Sequence, residues 1–147
     1  MFTWGNNEVG QLGLGEEFSR VQVPTSITIP KENQKVTDVA CGKWHAAAIT
    51  ESGEVYTWGW TDYHKFGPPT SKEAWMPQQV FQDDDAEVGR SKIISIACGA
   101  WSSCALRSNG EVWIWGFSNY MALLGDYIQP TLVPLEFPVT KVRFCVF

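Results

Sequence analysis

Cys41 and His45 are the residues of this chain whose types and spacing first suggest chemistry. A thiol four positions before an imidazole could supply two metal ligands, or a nucleophile with its base. A closed zinc site needs four ligands, and the only other histidine is His64. In a second copy of the same pattern, Cys98 is followed at the equivalent position by Ser102. The sequence therefore favours a packed turn, and we predict no catalytic residue, no metal and no cofactor.

A glycine-rich run from Gly10 to Gly15, GQLGLG, resembles a phosphate-binding loop in composition. Such a loop needs a lysine followed by serine or threonine at the start of a helix. This run has no such pair and leads into no segment with the apolar period of a helix. It therefore predicts no nucleotide site.

Charge argues against nucleic-acid binding. The 147 residues include 11 Lys and Arg against 16 Asp and Glu, a formal net charge of −5, and no basic cluster is longer than two residues. A nucleic-acid partner requires a basic patch that neutralises phosphates, so we expect none. The one charge run, Asp83-Asp84-Asp85 with Glu87, is typical of a solvated loop. The alternative is an acidic docking loop for a basic partner.

One signature recurs along the chain. A Trp-Gly pair appears three times, at spacings of 54 and 57 residues, and the last two pairs close the matching blocks VTDVACGKWHAAAITESGEVYTWG and IISIACGAWSSCALRSNGEVWIWG. Self-similarity at this period is typical of repeat architectures, whose units bury apolar faces against their neighbours. We therefore assign the signature to packing rather than to ligand binding. Its residues are Trp4, Gly5, Cys41, Gly42, Gly53, Trp58, Gly59, Cys98, Gly99, Gly110, Trp115 and Gly116.

Each block predicts short strands. In the first block they are expected at residues 36–40, 44–50 and 55–58, with a hairpin turn at residues 51–53. Gly53 and Gly110 supply the positive φ that such a turn requires. No window of ten or more residues carries a sustained helical apolar period, so helices should be few. The pattern predicts an all-β chain built from antiparallel four-stranded blades of a β-propeller.

These residues together resemble the repeat of the regulator of chromosome condensation family. The resemblance rests on Ala40-Cys41-Gly42 with His45, on the run from Gly53 to Gly59, and on the glycine-rich loop and Val23-Pro24 of the first unit. It covers almost the whole chain. Family members form a propeller, typically of seven four-stranded blades, so the resemblance implies that this chain is an incomplete part of such a ring.

The loops after each Trp-Gly pair differ between units. The positions of Gly10 and Gln11 in the first unit are occupied by His64 and Lys65 in the second. Loops lie on the surface and carry recognition, so we predict that a protein partner binds there. The candidate contact residues are Trp60, Tyr63, Phe66, Phe117 and Tyr120, together with the acidic Asp83, Asp84 and Asp85.

Length limits the number of repeats. With a period of about 55 residues, the chain holds the end of a first repeat at 1–35, a second at 36–92, a third at 93–141 and the start of a further one at 142–147. The segment from Val139 to Arg143 resembles the first strand of that next unit. An incomplete ring exposes strand edges and apolar blade faces, which predicts self-association.

Two classes of function follow for the parent fold. A non-enzymatic protein–protein interaction scaffold is favoured, and the alternative is guanine-nucleotide exchange on a small GTPase, which some family members perform. Ultraviolet-B photoreceptors share the fold and use clustered tryptophans in a Gly-Trp-Arg-His-Thr repeat. Here Lys43-Trp44-His45 and Ala100-Trp101-Ser102 follow the glycines, so tryptophan comes one place later and the arginine is missing. Photoreception is therefore disfavoured.

Compartment is suggested by the cysteines and by the absence of targeting signals. No apolar run approaches the roughly 20 residues of a membrane span, and the first residues enter a strand rather than a signal peptide, so we expect no membrane partner. Cys41 and Cys98 hold the same repeat position, which predicts small buried residues rather than a disulfide. A reducing cytoplasmic or nuclear location is expected.

Overall fold

The computed structural model describes residues 1–31, 34–60, 74–81, 91–116 and 127–143. Every regular element in these ranges is a β-strand, as the sequence predicts, and no helix there could span a membrane. The strands are β1 Phe2–Asn6, β2 Arg20–Ser26, β3 Val36–Cys41, β4 His45–Thr50, β5 Val55–Gly59, β6 Ala74–Gln79, β7 Ile93–Cys98, β8 Ser102–Arg107, β9 Val112–Gly116 and β10 Tyr127–Leu132.

The strands form three antiparallel sheets in which neighbours in sequence are neighbours in space. The first sheet pairs β1 with β2, the second has the order β3-β4-β5-β6, and the third has the order β7-β8-β9-β10. Trp58 lies opposite Ala46 in the second sheet, and Trp115 lies opposite Ser103 in the third. The two signature tryptophans therefore hold equivalent positions in successive blades, which confirms the propeller architecture.

Glycine turns fix the hairpins. The strands predicted at residues 36–40, 44–50 and 55–58 agree with β3, β4 and β5 to within one residue at each end. Gly53 and Gly110 adopt φ values of 88° and 89°, and each donates its N–H to a carbonyl three residues earlier, at 2.9 and 3.0 Å. A side chain at such a φ would be strained, so glycine determines where each hairpin reverses.

The connections fall at two opposite ends of the sheets. The β3–β4 and β7–β8 turns, at residues 42–44 and 99–101, lie at the end where β5 and β9 finish, which we call the loop end. The hairpins at residues 51–54 and 108–111 lie at the opposite end, the hairpin end.

Apolar residues of neighbouring sheets form the core. We call the face of a sheet toward the preceding sheet its front and the other its rear. At the seam between the second and third sheets, Trp115 is fully buried and its ring lies 5.8 Å from that of Phe81, in an edge-to-face arrangement. The residues buried in this seam are Ala47, Ile49, Val55 and Val80 with Ile93, Ile96, Cys98, Ala105 and Trp115.

The glycine-rich loop ties the first sheet to the second. Buried Asn7 orders this loop, since its amide donates to the carbonyls of Gly15 and Phe18 at 3.0 and 2.6 Å and accepts from the N–H of Leu12 at 2.8 Å. The loop in turn accepts a 3.0 Å hydrogen bond from the indole of Trp58 through the carbonyl of Gln11. The loop that resembles a phosphate site in composition is thus a packing element.

Two signature residues differ from the sequence-based expectation. Cys98 is buried, but Cys41 is exposed, so the prediction of two buried cysteines is wrong for Cys41. Trp4 is 59% exposed, whereas Trp58 is 4% exposed. The reason is similar for both: burial at these positions comes from the preceding sheet. Among the described residues no sheet lies in front of β1, and only the two-stranded first sheet lies in front of β3.

Residues 139–143 form no strand, so the expectation of a first strand there is wrong. Val139 and Val142 still pack against the rear of the third sheet, beside Leu106 and Val112. The apolar spacing therefore satisfies the packing, but a strand also needs a hydrogen-bonding neighbour, and none is present among the described residues.

Two buried thiols predict a loss of stability at alkaline pH. Burial raises the pKa of Cys98 to about 12 and that of Cys104 to about 11, from an ordinary value of 9.0. The folded chain thus keeps protons that the unfolded chain releases above pH 9, so the free energy of unfolding should fall by about 3 kcal/mol between pH 8 and 10. Urea titrations at both pH values check this. A variant with alanine at both cysteines should lose much less, and an equal loss would contradict the assignment.

Candidate functional site

Three tryptophan side chains meet at the loop end. Trp44 lies in the β3–β4 turn, Trp101 lies in the β7–β8 turn, and Trp60 directly follows β5. The ring centroids are 5.8 Å apart for Trp44 and Trp60, 5.1 Å for Trp60 and Trp101, and 6.4 Å for Trp44 and Trp101. All three rings are half-buried. The group therefore spans the seam between two sheets and presents aromatic surface to solvent.

The backbone holds this group in place. The N–H of Trp60 donates to the carbonyl of Trp44 at 3.0 Å, which extends the β4–β5 pairing past the end of β5. The β3–β4 turn, which contains Trp44, is closed by the N–H of Gly42, which donates to the carbonyl of His45 at 2.8 Å. Because hydrogen bonds fix the backbone that carries Trp44 and Trp60, these residues lose little conformational entropy on binding.

A lysine completes the group. The ammonium of exposed Lys43 lies 5.4 Å from the ring centroid of Trp44 and 5.7 Å from that of Trp101. Both distances are within the range of a cation–π interaction. We call Lys43, Trp44, Trp60 and Trp101 the tryptophan cluster. It can offer apolar area, indole faces and one positive charge to a partner.

The sequence-based site residues are placed only in part. Trp60 belongs to the tryptophan cluster, while Tyr63, Phe66, Phe117, Tyr120 and Asp83, Asp84 and Asp85 lie outside the described residues. The strand ends that flank the acidic run, Gln79 and Ile93, are at the hairpin end, opposite the cluster.

Sequence reasoning missed Lys43, Trp44 and Trp101 as surface residues. Trp44 and Trp101 are 57 positions apart, each two residues after a signature glycine. Because that glycine begins the turn at the loop end, both indoles lie at the same end of the sheets as Trp60. The order of the strands, rather than residue type alone, could have predicted that these residues lie together at the loop end.

His45 joins two sheets. Its Nε2 shares a 2.9 Å hydrogen bond with Oγ of Ser103 in the next sheet, and that hydroxyl lies 3.6 Å from Sγ of Cys98. His45 is 3% exposed and Ser103 1% exposed, so this hydrogen bond lies inside the seam between the two sheets. Among the described residues, no three His, Cys, Asp or Glu side chains converge as metal ligands.

Known proteins share this repeat along most of the chain. The family model described as the regulator of chromosome condensation repeat matches residues 1–49 and 52–106. The chain is 32% identical to the ultraviolet-B receptor of Arabidopsis thaliana, over 90% of this chain and 28% of the receptor. It is 32% identical to Ras guanine nucleotide exchange factor C of Dictyostelium discoideum, over 78% of this chain and 8% of that protein. It is 30% identical to the human regulator of chromosome condensation, over 97% of this chain and 34% of that protein.

Solved structures agree with this assignment. Human WBSCR16 superposes with a TM-score of 0.82 at 26% identity, over 97% of this chain and 37% of that structure. Prp20p of Saccharomyces cerevisiae superposes with a TM-score of 0.73 at 25% identity, over 92% and 34%. The chain thus spans about a third or less of the length of these relatives. With the family model matching more than half of its residues, the chain belongs to the regulator of chromosome condensation repeat family.

Proposed function

We propose that the chain is a non-enzymatic protein-interaction module whose contact surface includes the tryptophan cluster. The observation that carries this proposal is the meeting of three half-buried indoles and one exposed ammonium at the loop end. Rigid aromatic residues dominate the energetics of protein interfaces because they bury a large area at a small entropic cost.

Relatives provide independent support. Prp20p has binding properties toward Gsp1p and histones, so a related propeller binds other proteins. Histones are basic, and the net charge of −5 on this chain suits a basic partner through long-range attraction. Three described cysteines are free thiols, which suits the cytoplasmic or nuclear location that we propose.

The test compares partner sets between matched tryptophan variants. Trp60→Ala and Trp101→Ala remove cluster rings, while Trp4→Ala removes an exposed ring that lies outside the cluster. Each cluster variant should weaken partner binding by about 1–2 kcal/mol, roughly 5- to 30-fold, and Trp4→Ala should not. Capture from cell extract with quantitative mass spectrometry checks this, and each captured protein is then titrated in purified form. Identical captured sets for all variants would overturn the proposal.

Guanine-nucleotide exchange is the second candidate, because one relative is a Ras guanine nucleotide exchange factor. Exchange requires a residue that enters the nucleotide site and a complete contact face, and this chain spans only 8% of the length of that exchange factor. We therefore expect catalytic amounts of the chain to leave nucleotide release from a small GTPase at its background rate. A dose-dependent acceleration abolished by Trp60→Ala would reverse the order of the two candidates.

An ultraviolet-B photoreceptor is the third candidate and stays disfavoured. The structure does bring tryptophans together, but the cation beside them is Lys43, which precedes Trp44, instead of an arginine that follows tryptophan.

A further inference from the structure

The cation beside the tryptophan cluster belongs to the chain itself. The ammonium of Lys43 lies over the rings of Trp44 and Trp101, 5.4 and 5.7 Å from their centroids. Lys43 is exposed whereas both tryptophans are half-buried, so the charge approaches the two rings from the solvent side. The face of an aromatic ring is electrostatically negative and attracts a cation. These two rings therefore form a place at the surface of the seam where a positive charge is favoured.

Lys43 holds this place only weakly. Its backbone lies in the turn closed by the hydrogen bond from Gly42 to His45, but its ammonium is at the end of a long, flexible side chain. An exposed cation–π contact favours the bound position by a factor of only about 2 to 5. In the equivalent turn of the third sheet, Ala100 holds the position of Lys43, so such a turn forms without a lysine. A cation from another molecule can thus replace the ammonium.

The arrangement of the rings selects the kind of cation. The centroids of Trp44 and Trp101 are 6.4 Å apart and their planes are tilted by 36°. A charge held between the two rings would lie half of that distance from each centroid, but the ammonium lies at 5.4 and 5.7 Å, over an open pair of faces. Trp60 packs against both rings in edge-to-face arrangements, at 5.8 and 5.1 Å. The three rings are thus in mutual contact and do not enclose a cage for a bulky quaternary ammonium.

A guanidinium suits such an open pair of faces. It is planar, it stacks on aromatic rings, and it is more weakly hydrated than an ammonium, so its removal from water costs less. Its charge is also spread over a flat group that can contact both rings at once. Arginine is accordingly the more frequent partner in cation–π contacts of proteins.

We propose that Trp44 and Trp101 bind the guanidinium of an arginine from a partner protein, which stacks on the two rings in place of the Lys43 ammonium. This inference rests on the proposed function, because it names the partner group that the tryptophan cluster binds. The formal net charge of −5 favours the approach of a basic segment. Lys43 is then an internal competitor, which covers the ring faces in the absence of a partner and lowers the affinity for arginine.

Three small probes test the site on the purified full chain. They are N-acetyl-arginine amide, the equivalent lysine amide and the equivalent citrulline amide, which keeps the shape of arginine without its charge. The chain is labelled with fluorinated tryptophan, and each fluorine NMR signal is assigned with a phenylalanine variant. Arginine should shift the signals of Trp44 and Trp101 and leave that of the buried Trp115 unchanged. Lysine should bind more weakly than arginine, and citrulline should shift none of these signals.

Lys43→Ala gives the sharpest result, because it copies the equivalent turn of the third sheet and removes the competing ammonium. It should tighten arginine binding by about 2- to 5-fold, the factor that an exposed cation–π contact supplies. Lys43→Arg is the matched control, since it keeps an internal cation. Arginine should bind this variant no more tightly than it binds the unaltered chain.

The proposal is overturned if arginine leaves the signals of Trp44 and Trp101 unchanged, or if citrulline binds as tightly as arginine. It is also overturned if Lys43→Ala does not tighten arginine binding, or if Lys43→Arg tightens it equally. A competition separates this failure from that of the proposed function. If a protein needs Trp101 for its capture but is not displaced by the arginine probe, the proposed function stands and the arginine assignment is wrong. Displacement by arginine, but not by citrulline at equal ionic strength, supports both.

Discussion

Trp115→Ala should lower the free energy of unfolding by about 3–5 kcal/mol, a large share of the stability of a domain of this size. The side chain is fully buried between the second and third sheets and its ring meets that of Phe81 edge to face at 5.8 Å. Alanine would remove the ring and leave a cavity. The strands on both sides of it are held by their sheets and cannot move to fill it. Trp58→Ala should cost a similar amount, since it also loses the 3.0 Å hydrogen bond to Gln11.

The chain contains its own control for this prediction. Trp4 occupies the same position of the repeat but is 59% exposed, so Trp4→Ala should cost less than about 1 kcal/mol. Urea unfolding followed by circular dichroism measures all three variants on one scale. Equal losses for Trp4→Ala and Trp115→Ala would show that the seams contribute little, and that the repeat position itself sets the cost.

The elements of this fold follow from local sequence, and that explains why they could be predicted. A hairpin is specified by a few residues: alternating or β-branched strands on both sides and a glycine at positive φ between them, as at Gly53 and Gly110. Recurrence then identifies equivalent strands without any knowledge of distance. The positions of β3, β4 and β5 needed no information from outside their own 24-residue block.

The burial of a side chain could not be predicted from local sequence, because it depends on whether another sheet packs against that side chain. Cys41 and Cys98 have the same local sequence, yet one is exposed and the other buried, since only Cys98 has a complete sheet in front of it. The tryptophan cluster escaped prediction for a related reason. Its members come from three separate segments, and their meeting depends on the relative placement of two sheets.

Gly59→Ala should destabilise the chain by about 2–5 kcal/mol, through two separate effects. Gly59 has a φ of +110°, a conformation that costs about 1–3 kcal/mol for a residue with a side chain. An added Cβ would also lie 2.5 Å from the carbonyl oxygen of Trp44 and 2.7 Å from Cα of His45, and backbone this close cannot move without opening the β4–β5 pairing. Gly116 has the same arrangement, since an added Cβ there would lie 2.6 Å from the carbonyl oxygen of Trp101. Gly116→Ala should therefore cost a similar amount of stability.

Gly5→Ala separates the two effects. Gly5 holds the same repeat position with a φ of +115°, but an added Cβ there would meet no atom within 4 Å, because β1 pairs with β2 alone among the described residues. This variant should therefore lose only the conformational part, about 1–3 kcal/mol. The difference in unfolding free energy between Gly59→Ala and Gly5→Ala then measures the steric cost of the filled position. If all three glycine variants lose the same stability, the close approach of the second strand contributes nothing, and the glycine is required for its φ alone.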